Sequence, residues 1–425
     1  MSATEVRQHS GFEMTEQMVS ASCLDGLRVL DMSRIVAGPL AAQTFADMGA
    51  EVIKVERRCE GDDLRTVGPP WLGETGREEG QSTYFGAVNR NKRSIGIDFA
   101  TPRGRQLVLD LATRSDILIE NYKVGDLARY GLSYDDVRAV NPRIIYCSVT
   151  GFGQTGPLAS RPGYDYLVQA MSGLMSITGH PDHLPGGGPM RVGVPICDVL
   201  AGQNAVIAIM MALRRREMNG EGAYIDISLF ESQLAAMMNP ASAWLNGENP
   251  WSRTGNDHPN AVPYGVFDAS DGHLMIATFT DREFVRFAAA IGKPEWSTDC
   301  RFCKTAGRTS ERALLVGMIN QITQTRKRDE WIELLGGSNI PCGPIFEVGE
   351  ALDSEQVRVR GSVVKIPRKE GKSLRAVASP LRISGADPVY AVPSPMIGEH
   401  TEEILIKLLE LDDDAIEELR AAGAI

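Results

Sequence analysis

Residues 27–56 read LRVLDMSRIVAGPLAAQTFADMGAEVIKVE, and their pattern decides the fold class. LRVLDM is an apolar, strand-like run. PLAAQTFADM follows as a helix, with Pro39 at a first helical position and Gly49 just past the end. EVIKVE then returns to strand. The same alternation continues downstream with SIGID (94–98), a helix opened by Thr101 and Pro102, DILIE (116–120), the helix SYDDVRAV behind Ser133, and RIIYCSV (143–149). Strands alternating with helices predict a parallel sheet covered on both faces, with right-handed crossovers.

Past Gly156 the texture changes to loops and helices. A long helix from about Asp198 to Met218 ends in the turn Asn219-Gly220, and one more strand, AYIDIS, follows with a helix through LFESQLAAMMNPASAWL. A loop rich in Gly, Pro and Asn occupies residues 247–263. YGVFDASDGHLMIAT (264–278) then predicts a hairpin turning at Asp271-Gly272, and Phe284, Phe287, Ala288 and Ile291 at helical spacing continue a smaller α+β section.

The chain has 425 residues, long enough for two or three domains at roughly 150 residues each. With 43% hydrophobic and 23% charged residues it has the composition of a folded globular chain. Forty-four Lys and Arg against 55 Asp and Glu leave a net charge of −11, which opposes generic nucleic-acid binding. Any anionic ligand must be met by local basic residues. Seven scattered cysteines argue against a secreted disulfide framework and for a reducing cytoplasm; Cys300-x-x-Cys303 has no second pair at zinc-site spacing, so no metal is expected. Residues 1–22 carry Glu5, Glu13 and Glu16 and no apolar core, which fits neither a signal nor a transit peptide and reads as a flexible leader. The apolar stretch Ala205 to Leu213, closed by Arg214, Arg215 and Arg216, is far short of the ~20 residues of a membrane span and is expected to be a buried helix.

Gly151-Phe-Gly153-Gln-Thr-Gly156 matches G-x-G-x-x-G, but Pro157 and Pro162 break the helix a nicotinamide fingerprint requires, and no carboxylate stands about 20 positions on. The loop still offers backbone N–H groups to an oxyanion. Asp165, in Arg161-Pro-Gly-Tyr-Asp165, precedes the apolar run YLVQAMSGLMSI. It fits equally a helix N-cap and a nucleophilic carboxylate at a helix start. Basic residues gather at the ends of strands: Arg57 and Arg58 after the second, Arg90, Lys92 and Arg93 at the third, Lys123 and Arg129 after the fourth. Such clusters suit phosphate or carboxylate recognition and equally a solvated surface. Between Ser10 and Gly179 there is no His, and neither a G-x-S-x-G elbow nor a P-loop is present, which counts against hydrolase and NTPase readings.

Ten blocks in order carry a resemblance: LDGLRVLDMSRIVAGPLAAQTFADMGAEVIKVERR, GDDLRTVGPPW, NRNKRSIGIDF, ILIENYKVG, YCSVTGFGQTGP, RPGYDYLVQAMSGLM, RVGVPICDVLAG, GNDHPNAVPYGVF, IPCGPI and GEHT. Over nearly its whole length from Leu24 the chain resembles the class III coenzyme A transferases, and is most similar to the succinyl-CoA-dependent branch acting on dicarboxylates such as glutarate, itaconate, malate or substituted succinates. The resemblance implies an α/β fold, with a large Rossmann-like parallel-sheet domain, helices on both its faces, a smaller α+β domain, and an interlocked homodimer. It implies a CoA-binding large domain in two parts, residues 23–215 and a return segment at 336–425, joined by a linker and connecting helix at 216–247 and a small domain at 248–335.

In the same way it implies that Asp165 attacks the donor thioester and passes through a mixed anhydride and an aspartyl-CoA thioester. Gly151, Gly153 and Gln154 would donate N–H groups and shield the anhydride. The backbone at Ile35, Val36 and Ala37, with Arg57, Lys92, Asn121, Tyr122 and Arg129, would contact CoA. Acyl-CoA and a carboxylic acid are the substrates, with no prosthetic group, no nucleic acid and no membrane. Thr150 and Gln154 replace the Lys and acidic groups of the formyl-transferring branch, and Gly255 and His258 fall in the loop that covers the site in relatives. For a dicarboxylate acceptor the distal carboxylate needs a buried cation, for which Arg90 is the first expectation and Arg65 and Arg191 are the reserves. Racemases of the same fold carry a His directly before the Asp; here that residue is Tyr164, which counts against a racemase. A non-catalytic CoA-binding protein would need no Asp165.

Overall fold

The alternating strands assemble into one sheet in the computed structural model, which describes residues 22–72, 82–247, 251–368 and 373–425. The leader expected at 1–22 lies, except for Ser22, outside the described residues. The six strands are β1 (Arg28–Asp31), β2 (Glu51–Glu56), β3 (Lys92–Gly96), β4 (Ile117–Glu120), β5 (Ile145–Thr150) and β6 (Ala223–Ser228). All pair parallel in the order β3-β2-β1-β4-β5-β6. The central strand shows why the sequence runs are apolar throughout: Val29 pairs with both Val52 and Ile117, and no side chain of β1 after Arg28 reaches water.

Side chains alternate between two cores. On one face Val29, Val52, Ile117 and Cys147 pack under the helices Ala37–Asp47 and Ile196–Asn219. On the other, Leu30, Ile53, Ile95 and Leu118 meet the helix Pro102–Thr113 and the C-terminal helices Thr401–Lys407 and Asp413–Ala421. Each fully buried Leu or Ile there stabilises by about 1.5–3 kcal/mol. Local chemistry agrees with this packing: Thr101 caps the helix behind it, Ser133 and Asp136 form a capping box, and Gly220 ends the long helix in the left-handed conformation.

Ile196–Asn219 is long and apolar enough to cross a membrane by length and composition. It lies on the sheet through Cys197, Ala201, Ala205 and Ile209, with Gly202 so close to the Ala37 carbonyl that a Cβ would stand 2.7 Å from it. Arg216 pins its far end to Asp116 at 2.9 Å. It is a wall of the large unit.

The smaller sheet is antiparallel, with β7 (Tyr264–Ala269), β8 (Gly272–Ala277) and β9 (Cys342–Pro344) in that order, over a core containing Phe267, Phe284, Phe287 and Trp331. Two boundaries differ from expectation. The small section does not stop near 335, because Cys342–Pro344 pairs with β8; three residues ending in Pro at a sheet edge read in sequence as a loop. Residues 216–247 are more than a connector, since they supply β6, the last strand of the large sheet. The hairpin loop is Ser270-Asp271, one position earlier than expected, with Ala269 paired to Gly272. Its tip is set by docking, as Ser270 N–H donates to the Arg326 carbonyl and Asp271 accepts from Arg328 N–H.

Candidate active site

The strand order reverses between β1 and β4, so the loops that leave these strands diverge and open a crevice at their carboxyl ends. Arg34, Ile35 and Ala37 line it from one side and Asn121, Tyr122 and Lys123 from the other. The Asn121 side chain ties the two loops together, accepting from Arg34 N–H at 2.8 Å and donating to the Arg34 carbonyl at 2.6 Å. Ile35 holds φ +68°, a left-handed conformation that costs a β-branched residue on the order of 1–3 kcal/mol.

A buried charge cluster imposes that conformation. Asp62 accepts from Ile35 N–H at 3.1 Å and faces the Lys54 ammonium at 3.0 Å, while Lys54 also donates to the Ser33 carbonyl at 2.9 Å. Burial alone would raise the Asp31 and Asp62 carboxyls, but the lysines overcome it and both are lowered. For Lys54, burial is outweighed by Asp62, Asp31 and Glu56, which push it up to about 12.

Several expected ligand contacts belong to this framework instead. Lys92 is fully buried, and its ammonium donates to Asp31, the Pro39 carbonyl and Asn89 at 2.8, 2.8 and 2.9 Å, which uses all three protons. It has none for CoA. The Val36 side chain packs against Leu64, Phe85 and Val88, which leaves only its backbone for the expected contact, between Ile35 and Ala37 on the crevice wall. Arg65 forks onto Glu56 at 2.7 and 2.6 Å, and Arg90 onto Asp47 at 2.9 and 2.6 Å with a further bond to the Val377 carbonyl. Both guanidinium groups are buried by these partners, so neither reaches the crevice as the distal-carboxylate cation. The expectation for Arg90 and Arg65 is corrected accordingly.

A second cleft of about 690 Å³ continues from the crevice through Arg34 and Tyr122. Arg57, Arg58 and Arg129 stand on it, with the rings of Phe99, Tyr122 and Tyr130 meeting edge to face. Arg57 pairs with Glu60 and Asp63, and Arg129 with Asp126, each pair partly or largely open to solvent. Exposed pairs of this kind are worth about 0–1 kcal/mol, so a phosphate can displace them.

Asp165 is buried at the first position of the helix Asp165–Met171, where Tyr164 is the N-cap residue. Its carboxylate does not cap that helix. One oxygen accepts from the Gln169 amide at 2.6 Å; the other accepts from Cys197 N–H at 2.7 Å and Asp198 N–H at 3.3 Å, the first turn of Ile196–Asn219. A 24-residue helix thus aims its positive end at this carboxylate, with charge-assisted bonds. Gly163, on the crevice wall two residues before Asp165, crosses Gly151 so closely that a Cβ on either would stand about 2.5 Å from the other's Cα. The other glycine-loop residues do not serve as expected: Gly153 N–H donates to Thr150 Oγ1 at 3.1 Å and Gln154 N–H to Asp226 at 3.0 Å. These bonds hold the loop to β5 and β6 rather than facing a reacting oxyanion.

The model of the family described as CoA-transferase family III matches residues 24–401. The chain belongs to that family. It is 39% identical to the succinate–glutarate CoA-transferase of Agrobacterium fabrum over 402 residues, covering 95% of this chain and all of that one. The succinyl-CoA:glutarate CoA-transferase of Mus musculus is also 39% identical, with 95% of this chain and 90% of that protein covered. A solved structure of a CaiB/BaiF family protein from Brucella suis aligns with a TM-score of 0.81 at 40% identity, over 92% of this chain and 100% of that one.

In this family III CoA-transferase, sequence reasoning missed Gln169 and Asp198. Gln169 had one available signal, its position one helical turn after Asp165. Asp198 lines the crevice beside Tyr164, and burial followed by the charge of Asp165 pushes its carboxyl up to about 7. Glu120, at the end of β4, is likewise pushed up to about 7, chiefly by burial. These shifts fix the sign of a pH effect. An acid whose folded pKa exceeds its unfolded value stays protonated in the native state while the unfolded chain releases its proton, so stability falls as pH rises from about 4.5 to about 7. The urea midpoint is expected to be lower at pH 7 than at pH 5, and Glu120→Gln to remove on the order of 2–3 kcal/mol of that difference. A midpoint difference unchanged in Glu120→Gln would refute the assignment.

Proposed function

We propose that the protein moves CoA from succinyl-CoA to a dicarboxylate acceptor through Asp165. The observation that carries this reading is the Asp165 carboxylate, buried, held by N–H groups of a second helix, and flanked by Gly163, Tyr164 and Asp198 in the wall of the crevice at the sheet's switch point. Relatives named for succinyl-CoA and glutarate support the choice of acids. An Asp165 oxygen attacks the thioester carbon and the C–S bond breaks, giving a mixed anhydride and CoA thiolate. The thiolate then attacks the aspartyl carbonyl, releasing succinate and leaving an aspartyl-CoA thioester. The acceptor carboxylate reverses the sequence, so every step exchanges one activated acyl group for another. The nucleotide end of CoA is assigned to the cleft of Arg57 and Arg129, and the pantetheine path to Ile35, Ala37, Asn121 and Tyr122.

Mass spectrometry of the protein quenched after mixing with succinyl-CoA tests this. An acyl or CoA adduct is expected on the peptide containing Asp165, and an adduct confined to another peptide would refute the mechanism.

With Arg90 and Arg65 held elsewhere, Arg191 takes the distal carboxylate of the acceptor. Its guanidinium stacks over the ring of Tyr166, the residue after Asp165, at 4.3 Å, and among the described residues it bonds only to the carbonyls of Val192 and Gly193. Arg191→Ala is expected to raise KM for dicarboxylates at least about tenfold and to leave monocarboxylate acceptors nearly unchanged. Equal losses for both acid types would exclude Arg191 from this role.

Assembly as an interlocked pair of identical chains is part of the reading. Ile207, Met210, Met211, Trp244 and Leu245 are exposed large apolar residues on Ile196–Asn219 and the helix Met238–Gly247, a surface suited to a second copy. Seven cysteines without disulfides suit a reducing compartment such as the cytoplasm.

A further inference from the structure

Asp198 stands on the crevice wall beside Asp165, and the mechanism above gives its carboxyl no part. Its own N–H donates to Asp165, so the two acids share one helix start. Asp63, the other acid in the crevice wall, is paired with Arg34 and Arg57. Among the described residues no hydrogen bond reaches the Asp198 carboxyl and no Lys or Arg pairs with it. The titratable groups that face it are Asp165, the Tyr84 phenol and the Cys197 thiol, none of them cationic. Arg34 and Arg161 line the same crevice without pairing with it.

Two carboxyl groups in such a place do not both ionise readily. Gln169 and the helix N–H groups converge on Asp165 and leave the Asp198 carboxyl without a donor. Asp198 then keeps a proton, in line with the rise of its carboxyl to about 7.

Attack on the thioester creates a need for such a proton. As the Asp165 oxygen bonds to the carbonyl carbon, the carbonyl oxygen becomes negative; the C–S bond then breaks and sulfur departs with the bonding pair. The backbone N–H groups of Gly153 and Gln154 are not offered to that oxygen, since Thr150 and Asp226 hold them. We propose that Asp198, protonated, is the hydrogen-bond donor that stabilises the carbonyl oxygen during attack by Asp165, as a catalytic residue that lends its proton without transferring it. The inference rests on Asp165 being the nucleophile.

Single-turnover formation of the Asp165 adduct from succinyl-CoA, followed across pH, separates the two claims. In wild type the rate is expected to fall about tenfold per unit above pH about 7, as Asp198 ionises. Asp198→Asn retains an N–H donor and cannot ionise; its rate should stay within about fivefold of wild type at pH 6 and show no alkaline fall. Asp198→Ala should be about 100-fold slower, again without the fall. Tyr84→Phe should keep the wild-type profile. An Ala variant as fast as wild type, an Asn variant that keeps the alkaline fall, or a Tyr84→Phe variant that loses it would overturn the proposal. If Asp198→Ala does not fold, the wild-type and Asn profiles decide, and a flat wild-type profile with the adduct still formed overturns the role of Asp198 alone. Absence of any Asp165 adduct in wild type instead refutes the reading on which it rests.

Discussion

Asp165→Ala is expected to lower CoA transfer by at least about 10⁴-fold while CoA affinity changes by less than about threefold. Removing the carboxylate deletes the atom that bonds to both acyl groups, and the side chains beside it are poor replacements: the Asp198 carboxyl is pushed up to about 7, and Gln169 is an amide. The crevice walls at Ile35, Ala37, Asn121 and Tyr122 are held by Asp62, Lys54 and Arg34, with no contact to Asp165, so they keep their shape in the variant. The N–H groups of Cys197 and Asp198 lose their acceptor, which costs about 1–3 kcal/mol of stability, so assays belong at a temperature where the folded fraction has been verified. Transfer rates together with calorimetric CoA titration check both halves. Activity within tenfold of wild type would remove Asp165 from the mechanism.

Arg90→Ala is expected to act on folding, destabilising by about 3–5 kcal/mol, because it leaves the buried Asp47 carboxylate without its cation. Asn91 still donates to Asp47, but one neutral amide does not replace a guanidinium fork. Burial already raises Asp47 against the pull of Arg90, and without Arg90 the carboxyl would be driven to its neutral form. Urea unfolding gives the loss directly. The ratio of dicarboxylate to monocarboxylate activity, per folded molecule, should be unchanged; a selective loss of dicarboxylate transfer at wild-type stability would restore Arg90 to the substrate.

The fold was legible because parallel strands are buried on both faces and announce themselves as apolar runs, and because Thr101, Ser133 and Gly220 mark helix ends by chemistry that acts within a few residues. β9 escaped because its strand character comes only from pairing with β8, more than sixty positions earlier. Asp165 could be picked out from its neighbourhood, but what holds it comes from the helix start 32 residues on. The arginines and Lys92 were misread for one reason. A basic residue at a strand end looks the same whether it awaits a ligand or meets a buried carboxylate, and Asp31, Asp47 and Glu56 have no local feature that marks them as interior. Arg57 and Arg129 differ from these in that their acidic partners lie within a few positions in sequence and nearer to solvent, and both line the second cleft.

The left-handed Ile35 has a consequence for how ligands are admitted. Because the strain of that turn is sustained by a charge cluster sealed from solvent, it is borne when the chain folds, and the narrow end of the crevice stands ready-shaped before any thioester arrives. Such a rigid mould presents the same shape to every CoA thioester, whatever acid it carries. In the proposed mechanism, adjustment to acceptors of different length falls to Arg191, which rides exposed on the face of Tyr166 and can tilt with its guest, so that one part of the site acts as a ruler and the other as a hinge.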